Sequence, residues 1–236
     1  MRVLVLALAA LSLQASEVKL TEEMWNDIRP VYATIMAHPF FKELADGTLP
    51  RRQFEFFLME DDYFLAHFES ALDLLAIKAP RQDWAITLKQ HALNSKMDVL
   101  TLYHRLAPDA LCRPNCHGGA AMAVTFDYSI QVVEVAEQRP FAYGLAALLP
   151  RYWIHLEVGK KLSEKGSKNP TYQEWINTNA SEAHAKELAD VITMMNTAAP
   201  KLDPASRRAA RERFRISASY ELAFLEMAWR EEKWLP

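Results

Sequence analysis

Half of the 236 residues are apolar, about a quarter are charged, and 27 Lys and Arg against 30 Asp and Glu leave a net charge of −3. That length and composition suit one globular domain with a large core. Near-neutral charge without a basic run excludes the phosphate-tracking surface that a nucleic-acid partner requires.

Residues 1–16, MRVLVLALAALSLQAS, set Arg2 ahead of an apolar run from Val3 to Leu13 and end on the small residues Ala15 and Ser16. This pattern predicts a secretory signal followed by a helical domain over 17–236, and a periplasmic or secreted mature chain. Leu13 is bulky for a position three residues ahead of a cut after Ala15. The run falls short of the roughly 20 residues that span a bilayer, so no stable membrane insertion is expected. The alternative is an N-terminal helix packed on a cytoplasmic domain.

Thr21 with Glu22 and Glu23 predicts a capped helix opening there and running to residue 37, bent at Pro30. A turn at Asp46-Gly47 and Pro50 then introduce a long helix that ends before Pro80. Further helical patterns cover 82–106, 120–137, 141–165, 172–179, 181–196 and 205–234, with no alternating strand pattern of useful length between them. The expected fold class is all-α, with about seven or eight helices around one core.

Cys112 and Cys116 are the only cysteines, and they lie in the loop LCRPNCHGG between two helical stretches. A loop disulfide is one reading in an oxidising compartment. A zinc site built from both cysteines with His117 and His104 is the other.

The stretch FEFFLMEDDYFLAHFESALDLLA, residues 54–76, places Glu60, Asp61 and Asp62 inside one of the most apolar and aromatic parts of the chain. Phe57, Asp61, Phe64, Leu65 and Phe68 recur at helical spacing, so at least one acid projects from an apolar face. A carboxylate there must be paired, hydrogen-bonded or used. Glu221, between Tyr220 and Phe224, is the second acid expected to face inward. Arg151 and His155 stand one turn apart on an otherwise aliphatic and aromatic helix that also carries Glu157. Taken singly, each of these is as readily a structural group as a functional one.

Five segments resemble successive motifs of the TenA (thiaminase II) family, in order and at fitting separations: HPFFKELADGTLPRRQFEFFLMEDDYFLAHF, FDYSIQ, FAYGLAALLPRYWIHLEVGKKL, NPTYQEWINTNAS and SYELAFLEMAWR. The resemblance implies a haem-oxygenase-like bundle, usually a homotetramer, with no cofactor. It also implies hydrolysis of thiamine-derived aminopyrimidines to an amine and a hydroxymethyl-pyrimidine. By that resemblance Asp61 bonds the aminopyrimidine edge, Glu221 is catalytic, Phe224 packs on the ring and Tyr128 lines the pocket. Desolvation among Tyr220, Phe224 and Leu225 would raise the Glu221 pKa and make it an acid, whereas a nearby Arg151 would lower it.

The chain also departs from the family pattern. Arg151 stands where the family carries a nucleophilic cysteine, and Phe64, His155 and Asn179 stand where it often has tyrosine. A cysteine-independent hydrolysis by activated water follows as the expected activity. Arg151 suggests an anionic ligand as one alternative, and a non-catalytic binding protein is another. A third is a dimetal oxidase on the same fold, using Glu60, His67 and Glu157, with His184 the one further ligand that the last helical cluster offers.

Overall fold

The computed structural model describes residues 18–107 and 121–232. Helix α1 spans Leu20–Ala37, α2 Pro39–Asp46, α3 Arg51–Lys78 and α4 Gln82–Asp98. A π-helical turn, Val99–Tyr103, and a short helical turn, His104–Leu106, follow. Beyond residue 120 come α5 (Ala123–Gln138), α6 (Phe141–Ser163), α7 (Pro170–Asn179), α8 (Glu182–Ala198) and α9 (Pro204–Arg230), with a 3₁₀ turn at Ala199–Lys201. No strand occurs among the described residues, as the periodicity requires. The signal-like segment, Cys112, Cys116 and His117 lie outside them.

Local chemistry sets the helix ends. Pro39 occupies the first turn of α2, and the His38 ring accepts from the Phe40 amide. Gly47 closes α2 at φ +76°, a left-handed conformation that favours glycine. Asn169, Ser181 and Asp203 cap α7, α8 and α9 through their side-chain oxygens. Thr21 is not the cap expected of it. It is buried inside α1, where its hydroxyl bonds Asn196 of α8 and ties the two helices together. Pro30 lies inside α1, which continues through it.

Helix α6 is buried on nearly every side and packs against α5, α7, α8 and α9, while α3 packs against α4 and α5. An all-round apolar helix of this kind belongs at the centre of a bundle. Gly159 lets α7 approach it closely. A Cβ there would lie 2.6 Å from the backbone carbonyl carbon of Asn179 and 2.7 Å from the Ala180 nitrogen. This contact fixes the end of α7 against α6, and with it Asn179 against His155.

The expected helix over 82–106 is instead interrupted at the π-helical turn. Such a turn adds a residue to the local repeat and changes which side chains face inward. Here it leaves Tyr103 buried beside α3.

Candidate active site

Four helices and the π-helical turn deliver one buried polar cluster into the core. Asp61 comes from α3, Tyr128 from α5, Arg151 and His155 from α6, and Glu221 from α9; Tyr103 comes from the turn. Asp61 is 1% exposed and Glu221 7%, in surroundings otherwise aromatic and aliphatic. The Arg151 guanidinium donates from Nη2 to Asp61 Oδ2 at 2.8 Å, and the Tyr103 hydroxyl donates to the same oxygen. Arg151 Nη1 lies 2.7 Å from His155 Nε2. The same ring nitrogen lies 3.1 Å from Glu221 Oε2, and the Tyr128 hydroxyl donates to Glu221 Oε1 at 2.8 Å. The far side of the imidazole, Nδ1, meets Asn179 Oδ1 of α7 at 3.3 Å. The two acids are therefore joined through Arg151 and His155.

Burial works against the charge of Arg151, but Asp61, with Tyr103 and Glu221, more than offsets it and keeps the guanidinium ionised. Its charge is met by Asp61. Burial likewise pushes the Glu221 carboxyl up, yet His155, Arg151 and the Tyr128 hydroxyl outweigh it and hold the carboxyl below its usual range. Desolvation alone would place Glu221 high; His155 first, and then Arg151, reverse it. Burial first, then Asp61, pushes the Tyr103 hydroxyl well above the ordinary phenol range; burial and Glu221 do the same to Tyr128. Both phenols are thus protonated donors near neutral pH.

Two hollows flank this cluster. The first, a narrow cavity of about 20 Å³, is walled by Phe41, Phe57, Phe224 and Leu225, with His155 and Glu221 as its polar groups. Phe57 and Phe224 meet edge to face at 5.6 Å. The second, about 60 Å³, is more polar; Tyr103, Arg151 and Asn179 line it with His91, Tyr152 and His184. Arg151 and His155 stand between the two, and Asp61 contributes to the wall of neither. Phe64 stacks on Tyr128 at 4.3 Å beneath the guanidinium, which lies 5.8 Å from the Phe64 ring.

The proposed metal ligands Glu60, His67 and Glu157 are not brought together. Glu60 is buried and accepts from the Met122 amide. His67 Nδ1 bonds the Tyr63 carbonyl within its own helix, and Glu157 pairs with Lys160 on α6. Among the described residues no group of three or more His, Cys, Asp or Glu side chains could hold a metal ion. Tyr103 is the member of the site that sequence reasoning missed. In the pattern LTLYHRL it reads as one more core aromatic, and only the π-helical turn sets it on Asp61.

His184, lining the second hollow, donates through Nε2 to the Tyr152 carbonyl at 2.9 Å. Burial lowers its pKa from 6.5 to about 4. An unfolded chain therefore binds a proton at this position between pH 6.5 and about 4 that the folded chain does not. The stability is fully present above pH 6.5 and is lost as pH falls through that window, by up to about 3 kcal/mol. Urea unfolding at pH 7.5 and pH 4.5 should show a smaller acid loss for His184→Gln than for the unaltered chain.

A profile of the TENA/THI-4/PQQC family matches residues 25–231. The chain belongs to this family. Aminopyrimidine aminohydrolase from Bacillus subtilis (strain 168) is 28% identical over 217 residues, covering 92% of this chain and 92% of that protein. Among solved structures, a TenA homologue from P. horikoshii OT3 superposes with a TM-score of 0.82 at 24% identity, covering 91% of this chain and all of the other. A Shewanella denitrificans domain described as having a heme oxygenase-like fold gives a TM-score of 0.69 at 13% identity over 92% of this chain and 94% of its own. The fold is thus that of the haem-oxygenase-like helical bundles. The family match spans every helix that contributes to the buried cluster, so Asp61, Tyr128, Arg151, His155, Asn179 and Glu221 all lie within it.

Proposed function

We propose that the chain is a thiaminase II-type hydrolase that cleaves a carbon–nitrogen bond in a small aminopyrimidine without a thiol nucleophile. The observation that carries this reading is the convergence of Asp61 and Glu221, from separate helices, on one hydrogen-bonded cluster beside an aromatic-walled hollow. Aminopyrimidine aminohydrolases of similar length, at 28% identity, support it. The cleaved bond gives its electron pair to the departing nitrogen, which takes a proton from Glu221 and leaves as an amine. Water supplies the replacing oxygen and returns a proton to the site.

Asp61 is already bonded to Arg151 and Tyr103, so engaging an aminopyrimidine edge requires the guanidinium to turn aside. The second hollow, which Arg151 already lines, offers the room. The same pairing favours a second reading, a binding protein in which Arg151 permanently holds the place of the aminopyrimidine edge. Ammonia release from an aminomethyl-aminopyrimidine, followed alongside calorimetric binding, separates the two. The hydrolase reading expects stoichiometric ammonia and hydroxymethyl-pyrimidine; binding without ammonia establishes the second.

Assembly as a homo-oligomer belongs to this proposal. Ile86, Leu93 and Met97 recur at helical spacing on α4, and Phe126 and Ile130 lie one turn apart on α5. All five are exposed apolar side chains, and a second copy would cover them.

A further inference from the structure

We infer that Glu221 and His155 hold one proton in common and act as a single acid–base unit, oriented by Asn179 and reported on by Arg151. Asn179 fixes the tautomer of His155. Its Nδ2 donates to the Trp175 carbonyl at 2.9 Å, which can only accept, so its Oδ1 is the atom facing His155 Nδ1. An amide oxygen only accepts, so Nδ1 carries a hydrogen and exchange is confined to Nε2.

That nitrogen faces two groups with opposite demands. Arg151 Nη1, at 2.7 Å, can only donate and needs a lone pair on Nε2. Glu221 Oε2, at 3.1 Å, then bonds to Nε2 only if it carries a hydrogen itself. In the other arrangement the hydrogen sits on Nε2 and bonds an ionised Glu221, and Arg151 Nη1 must draw back toward Asp61. Each arrangement holds one proton on the pair.

Charge leads to the same count. The charged and titratable groups bonded into the cluster around the pair are Arg151 from its own helix, Asp61 from α3, Tyr103 from the turn and Tyr128 from α5, with His184 of α8 nearby. With the phenols and His184 neutral, Arg151 and Asp61 cancel, and one proton on the pair leaves the buried cluster uncharged. None leaves it at −1, and two leave it at +1. A buried net charge is costly either way.

This removes a difficulty at the site. A carboxyl held below its usual range is a poor acid near neutral pH on its own. Here the proton that Glu221 gives up remains 3.1 Å away on Nε2 and returns through Oε2 to the departing nitrogen. His155 is thus the proton partner of Glu221, and Asn179 a positioning residue. Its part in turnover rests on the hydrolase reading; the sharing of the proton does not.

The test is nitrogen NMR of the full chain labelled at histidine, with the His155 signals assigned in the unaltered protein through contacts with the Trp175 ring. Nδ1 should read as protonated across the pH range in which the fold holds. Nε2 and the Glu221 side-chain carbon should move together through one transition, and in Glu221→Gln the Nε2 transition should be displaced. Should Glu221→Gln not fold, the joint movement in the unaltered chain decides. Nδ1 unprotonated at neutral pH, or Nε2 and Glu221 changing independently, overturns the inference. Where ammonia release is measurable, Asn179→Ala should move the alkaline limb of the pH–rate profile to lower pH. A uniform loss at every pH would mark Asn179 as merely structural and remove its positioning role.

Discussion

Glu221→Gln should lower ammonia release from an aminomethyl-aminopyrimidine by about 10²- to 10⁴-fold, the range that a positioned acid–base group contributes. The substitution is nearly isosteric. Its amide oxygen can still accept from the Tyr128 hydroxyl, and its nitrogen can still donate to His155 Nε2, so both bonds made by Glu221 have replacements. What is lost is an exchangeable proton in the wall of the first hollow. Binding of the substrate, measured by calorimetry, should change only a few-fold, because the hollow keeps its shape. A loss of less than about tenfold in rate would remove Glu221 from the chemistry.

The second large effect concerns stability. Asp61 and Arg151 form an ion pair whose side chains are 1% and 11% exposed. Replacing Arg151 with Met leaves the Asp61 carboxylate buried with only the Tyr103 hydroxyl to meet it, at a cost of about 3–5 kcal/mol. Asp61→Asn strands the guanidinium and should cost a similar amount. The double variant removes both charges and should recover most of either loss, since a buried pair and an apolar replacement are often close in free energy. Urea unfolding of the four proteins at pH 7.5 measures the coupling. If the two losses simply add, the pair is not the unit described above.

Much of the architecture was legible in the chain because helical periodicity and helix-ending chemistry agree along it. Asn169-Pro170 and Asp203-Pro204 each place a capping side chain just before a proline suited to the first helical turn. The two inward acids were legible for a different reason: a carboxylate among aromatic residues stands out wherever it occurs. Spacing could also show that Arg151 and His155 share a face, because residues one turn apart must. It could not show that Arg151 reaches across to Asp61, since that depends on how α3 and α6 are set side by side. Nor could it show Tyr103, because the π-helical turn that aims it has no clear signature in VLTLY. The direction of the Glu221 shift was hidden by the same gap. Desolvation can be read from neighbours in sequence, whereas His155 and Tyr128 reach Glu221 only through tertiary packing.

Turnover by a chain without thiols separates acid–base hydrolysis from a sulfur route. Cys112 and Cys116 are the only cysteines in the sequence, so the double substitution Cys112→Ser with Cys116→Ser leaves no sulfur nucleophile. Ammonia release by that variant should match the unaltered protein within about twofold, and adding Glu221→Gln should lower it by about 10²- to 10⁴-fold. A folded double variant that releases no ammonia, from a parent that does, would contradict hydrolysis driven by Glu221 and His155.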